Sequence, residues 1–313
     1  MWILALAGEP APGEDGAILV LPSLGADPEV LKTHPLAEKC FKCHGTEVAS
    51  REWAESGHAH NLATLRKSPN AADSCLSCHS SGYRPQPTLA WGIRQPRPYA
   101  TLRTAINEVA CSSCHAHTAP KERQYLVLPA KDLCVTCHKM DCGCAGKGII
   151  HQSQSEMFQG VKAAGVPDTP SKHTETMDGD CAVCHMYRPP DSDGVVLRSG
   201  GHTFRATWDS CTPCHEDAQE RVAANTASIQ ELLQRVEAAL GAVDASRREE
   251  PAYQGAKLNY DMVRGDSGVG LHNPTYAKAL LRQSLVFLGV SREPLPPDEV
   301  GATAAPPARP AQK

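Results

Sequence analysis

Six short stretches of this chain carry the residues most able to do chemistry. Each reads Cys-x-x-Cys-His. They are Cys40, Cys43 and His44; Cys75, Cys78 and His79; Cys111, Cys114 and His115; Cys134, Cys137 and His138; Cys181, Cys184 and His185; and Cys211, Cys214 and His215. Together they take twelve of the fourteen cysteines. A zinc knuckle or a redox dithiol needs the two thiols but not a histidine after the second one every time. Histidine is scarce enough here that six such placements by chance have a probability on the order of 10⁻⁸, so the pentad reads as the c-type haem attachment site. Two thiols add to the two vinyl groups of one porphyrin, and the adjacent imidazole reaches the iron as proximal ligand. The expected cofactors are six covalently attached haem c groups.

The composition agrees. The chain has 313 residues but only 4 Phe, 4 Trp and 7 Tyr, little aromatic area for a core of that length. Porphyrins would supply the missing apolar filling. A chain this densely loaded needs its cofactor to fold, as small metal-dependent domains do. The fold class expected is mostly α with extensive irregular loops, organised around six haems.

Six irons call for six distal ligands if all are six-coordinate. Outside the motifs stand eight histidines: His34, His58, His60, His117, His151, His173, His202 and His272. His117 is two residues past His115, too close to reach the other face of the same haem, so it would serve a neighbour. His58 and His60 would point to opposite sides of a helix. One haem cannot use both; His58 is preferred, with His60 and His34 in reserve. Met140, Met157, Met177, Met186 and Met262 could ligate iron, but with histidine plentiful they read as packing residues.

These ligands need elements to hold them. Proline and glycine crowd the segments between motifs, as in residues 84–99, which read as loops. After Cys214 the pattern changes. Val222, Ile229, Val236 and Val243 recur every seven residues, with Leu233 and Leu240 between them, an amphipathic helix. Asn273 suits an N-cap and Pro274 a first helical position, so a second helix follows, with Tyr276, Leu280 and Phe287 on its apolar face. The two make a C-terminal antiparallel hairpin with His272 at the start of its second helix.

The division expected is an N-terminal segment over 1–24, a six-haem domain over 25–216, the hairpin over 217–292 and a disordered Pro/Ala-rich tail over 293–313. Residues 1–7 end in an Ala-Leu-Ala cleavage-like site and read as a truncated signal sequence, with an ordinary ragged end as the competing reading. Haem attachment to this motif takes place outside the bacterial cytoplasm, so a periplasmic or extracellular location is expected. No run of 18 apolar residues offers a membrane span. The formal charge is −4. Haem propionates would bring the oxidised protein to about −10, favouring redox partner proteins with a basic docking patch, and nothing points to nucleic acid.

Five segments carry a family resemblance: EWAESGHA (52–59), HQSQSEMFQG (151–160), CAVCHMYR (181–188), GGHTF (200–204) and GLHNPTYAKALL (270–281). In these the chain resembles, loosely over residues 40–290, the multihaem c-type cytochromes related to pentahaem nitrite reductase and octahaem hydroxylamine oxidoreductase, a group with pure electron-transfer members. The resemblance implies that His58, His151, His173, His202 and His272 are distal ligands and that the haems form a continuous electron wire. Two departures stand out. Nitrite reductases of that group end their catalytic motif in lysine, and all six motifs here end in histidine. Cys142 and Cys144 also lie outside the family pattern and read as a free or disulfide-bonded pair in a loop insertion. The function expected is electron transfer by a hexahaem, largely bis-histidine cytochrome. The alternatives are a reductase or oxidase of small nitrogen or sulfur compounds with one open haem, or a subunit of a cytochrome filament or respiratory complex, which leaves an oligomer open.

Overall fold

A computed structural model describes residues 35–81, 101–140, 150–188 and 201–291. His34, Cys142, Cys144, both termini and residues 84–99 lie outside the described residues. Within them the structure is helix, turn and irregular chain, with one isolated β-bridge between His115 and Leu126. The mostly α expectation holds.

The apolar core is concentrated at the C-terminal end. Helix α1 spans Pro35–His44, α2 Val48–Glu55, α3 Asn61–Lys67 and α4 Gln154–Gln159. Three longer helices follow: α5 over Ala218–Gly241, α6 over Pro251–Gly265 and α7 over Pro274–Phe287. The expected two-helix hairpin is thus a three-helix arrangement, because the connection after Gly241 itself folds into α6. Pro251 pre-sets the backbone angle of its first turn, and Ala256, Tyr260 and Val263 give it a buried face.

The seam of α5 also differs from the heptad reading. Ile229, Leu232, Val236 and Leu240 are buried, while Leu233 is only partly so. Val243 lies past the end of the helix. The helix packs against both α6 and α7, so its buried stripe follows the 3.6-residue period of a straight helix and not the 3.5-residue period of a two-helix supercoil. The start of α7 follows expectation: the Asn273 side chain accepts a hydrogen bond from the Tyr276 amide at 3.1 Å, and Pro274 follows it.

Elsewhere the apolar clusters are small. One joins Trp53, Ala54, Ala59 and Ala110; another joins Leu62, Leu65, Leu76 and Ala105. Polar ties fix the intervening chain to the helices. The Trp53 indole N–H donates to the Val109 carbonyl at 3.0 Å. Buried Asn259 on α6 accepts from the Ala164 amide at 2.8 Å and donates to the Ala164 carbonyl at 2.9 Å. The Ser153 hydroxyl donates to the Met262 carbonyl at 2.5 Å. The Asn259 and Ser153 bonds hold the segment carrying His151 and His173 against the bundle.

Candidate functional site

Each motif is a helical turn or a hydrogen-bonded turn of similar geometry. The backbone N–H of the histidine donates to the carbonyl of the first cysteine at 2.8 Å in Cys111–His115, 3.0 Å in Cys134–His138, 3.0 Å in Cys181–His185 and 2.9 Å in Cys211–His215. Positions i, i+3 and i+4 share one helix face, so both sulfurs and the imidazole present to the same side.

The motif histidines do not stand alone. His44 faces His117 with ring centroids 6.2 Å apart. His79 faces His151 at 6.3 Å, and His115 faces His202 at 6.2 Å. His138 faces His58 at 6.2 Å, His185 faces His272 at 6.0 Å, and His215 faces His173 at 5.9 Å. The six separations fall within a few tenths of an ångström of one another, although the paired residues lie between 42 and 87 positions apart in the chain. A metal–imidazole bond of about 2 Å, with about 1.1 Å more from nitrogen to ring centre, puts two trans imidazoles about 6.2 Å apart. The shared spacing matches that value, so each pair fits an iron held between its rings.

The space fits as well. All twelve of these histidines and ten of the twelve motif cysteines line one connected cavity of about 1820 Å³. An ordinary small-molecule pocket holds roughly 300–1,000 Å³, so this cavity suits several large groups. The remaining two motif cysteines, Cys43 and Cys214, are exposed. Motifs far apart in sequence meet inside the cavity. The Cys134 thiol neighbours that of Cys181, and the Cys111 thiol neighbours that of Cys40.

Hydrogen bonds orient the rings. Nδ1 of His115 donates to the Gln124 carbonyl and Nδ1 of His185 to the Phe204 carbonyl, both at 3.0 Å; Nδ1 of His79 donates to the Asn61 carbonyl at 3.4 Å. His44 Nδ1 meets Glu47 Oε1 at 2.8 Å, and His272 Nδ1 meets Asp266 Oδ1 at 2.6 Å. In each case Nε2 is left as the free ring nitrogen, the arrangement that metal-ligating histidines use. Asp266 is fully buried, and its other oxygen accepts from the Gly270 amide at 2.9 Å.

The protonation states suit ligation. Burial, with the neighbouring His138 adding to it, pushes His58 down to about 4. Burial likewise lowers His79, His138, His151, His173 and His185. A neutral imidazole keeps a lone pair for a metal. His272 is the exception: burial opposes its charge, but the Asp266 carboxylate outweighs burial and raises it.

His60 takes another role. Its Nε2 lies 3.1 Å from the Ala54 carbonyl, and it does not line the cavity. Met157 and Met262 are fully buried in the helical core, with Met140 packed against it, while Met177 and Met186 line the cavity. Two residues at the site escaped the sequence reading. Asp266 stands six positions before His272 in a glycine-rich turn, a weak local signal. Phe204 closes the segment 200–204 and offered no chemical reason to single it out.

The family described as Doubled CXXCH motif matches residues 104–141, which hold two of the motifs. The chain is a multihaem c-type cytochrome. Among solved structures, the cytochrome is similar to the outer cell wall cytochrome OcwA, with 27% identity, a TM-score of 0.59, and coverage of 77% of this chain and 50% of that one. It also shares its fold with an undecahaem cytochrome from the S-layer of Carboxydothermus ferrireducens, with 21% identity, a TM-score of 0.59, and coverage of 82% of this chain and 45% of that one. It thus spans about half the length of either. No curated protein matches it. No helix among the described residues is long and apolar enough to cross a membrane.

Proposed function

We propose that the cytochrome carries six haems, each held between one motif histidine and one histidine from elsewhere in the chain, and that it transfers electrons outside the cytoplasm. The observation that carries this reading is the set of six imidazole pairs at a common spacing, with each motif histidine used once. In this assignment His117, His151, His202, His58, His272 and His173 are the distal ligands of His44, His79, His115, His138, His185 and His215.

Bound haem iron supplies one-electron chemistry by cycling between ferric and ferrous states. The chain does the rest. Twelve cysteines fix the groups covalently, and the carbonyl and carboxylate partners at Nδ1 fix ring planes. An imidazole from each side would keep small molecules off a bound iron, which favours a carrier over a reductase. The nearness of the Cys134 and Cys181 motifs, and of the Cys40 and Cys111 motifs, supports relay between neighbouring groups. Export is supported by the attachment motif and by the cell-wall and S-layer origin of the two similar structures. A kinship with the nitrite reductase and hydroxylamine oxidoreductase group is part of the same proposal, resting on the segments around His58, His151, His202 and His272.

Intact mass together with haem quantification tests the count. Six additions per mature chain are expected; five or fewer in fully matured protein would overturn it.

A further inference from the structure

One residue with no chemistry of its own touches three of the six pairs. The Phe204 ring lies edge-on to His58, with centroids 4.5 Å apart and planes at 76°, and to His202 at 5.7 Å and 70°. Its carbonyl accepts the Nδ1 proton of His185 at 3.0 Å. His58, His202 and His185 belong to three different pairs, those of His138, His115 and His272. Phe204 therefore sits where three of the proposed haem sites converge.

The backbone is bent to put it there. Phe204 has φ +56°, in the left-handed region that a bulky aromatic residue rarely occupies. Such outliers persist where the surroundings hold them, and they gather at functional sites. The surroundings here are specific. Gly201, at φ +76°, approaches the Met186 backbone so closely that a Cβ would stand 2.6 Å from its carbonyl oxygen. The His202 amide donates to Glu52 at 2.8 Å. The ring packs against the cluster of Trp53, Ala54, Ala59 and Ala110. The loop is thus pinned on three sides, and the aromatic ring is wedged between two imidazoles.

We propose that Phe204 is a positioning residue that sets the imidazole planes of His58 and His202 at the place where three haem sites meet. The proposal rests on the bis-histidine reading above. A ring lodged edge-on between two imidazoles restricts their rotation about the bonds that carry them. The plane of an axial imidazole governs the splitting of the ferric iron d-orbitals, so the anisotropy of each low-spin signal reports that plane. His185 is held through the Phe204 carbonyl, which any L-residue retains, so it serves as an internal reference.

The test is Phe204→Leu in the haem-loaded chain, read by electron paramagnetic resonance with spin quantification. Leucine fills most of the space but presents no flat edge. The expected result is a shift of low-spin signals integrating to two of six irons, with the other four unchanged. Phe204→Tyr retains the ring and should restore the wild-type spectrum. A Phe204→Leu spectrum identical to wild type would overturn the proposal, as would a shift of all six, which would mean collapse of the loop. Should Phe204→Leu fail to mature, Phe204→Met serves with the same criteria. Loss of the underlying reading looks different: wild type itself would then lack six low-spin irons.

Discussion

Asp266→Asn should raise the reduction potential of one haem and leave its ligation intact. Asp266 is fully buried, and its Oδ1 stands 2.6 Å from His272 Nδ1. An iron on Nε2 of that ring lies about 6.5 Å from the carboxylate, taking about 2 Å for the metal bond. At an effective dielectric of about 20, one charge at that distance is worth about 2.5 kcal/mol. That corresponds to about 110 mV for a one-electron couple. Relaxation and nearby water reduce this, so a rise of about 50–100 mV is expected. The sign follows from electrostatics: a buried anion favours the more positive ferric state, and removing it favours the ferrous one. Asparagine keeps one oxygen to accept the Nδ1 proton, so the ring should hold its orientation while the Gly270 amide loses its acceptor. A spectroelectrochemical titration of wild type and variant decides it. One of six components should move upward with all irons still low-spin. An unchanged titration, or a downward shift, would refute the reasoning that this carboxylate acts on a haem through His272.

His58→Ala should give one high-spin haem, while His60→Ala should give none, since His60 faces the Ala54 carbonyl and not a motif histidine; absorption spectra of the two variants compare them directly. Cys78→Ala should leave a single thioether at the second motif and lower haem yield there, read by mass spectrometry. Gly160→Ala should destabilise the protein by about 2 kcal/mol or more, seen as a lower melting temperature. Gly160 has φ +62°, a Cβ there would overlap the Thr169 carbonyl, and that carbonyl accepts from the Asn273 side chain beside His272. Truncation after Val269 removes His272 and α7 together, so it should produce one high-spin haem and expose Ile229 and Val236 on α5.

What the sequence made legible, and what it did not, follows from the range of each signal. The motifs are local: five residues in one turn, readable without any fold. The start of α7 was equally local, since Asn273 and Pro274 announce a cap by residue type alone. Helix α6 was missed because its apolar positions are fewer and interrupted by Gly255 and Asn259, and the polar Asn259 is buried only because it pairs with the Ala164 backbone. The seam of α5 was assigned Leu233 in place of Leu232 because the heptad reading assumed one partner helix, and there are two. The partner of each motif histidine lies 42 to 87 residues away, and spacing carries no information at that range. The pairing of His44 with His117, or of His215 with His173, emerges only when the chain is folded. Asp266 and Phe204 were invisible for a related reason: each acts through a ring placed by another element.

The central claim is that every iron sits between two imidazoles. Quantitative electron paramagnetic resonance of the oxidised, fully loaded cytochrome tests it most directly. Six low-spin ferric irons per chain with bis-imidazole signals are expected, with no change on adding nitrite or hydroxylamine. A high-spin signal amounting to one iron per chain that responds to either compound would contradict it.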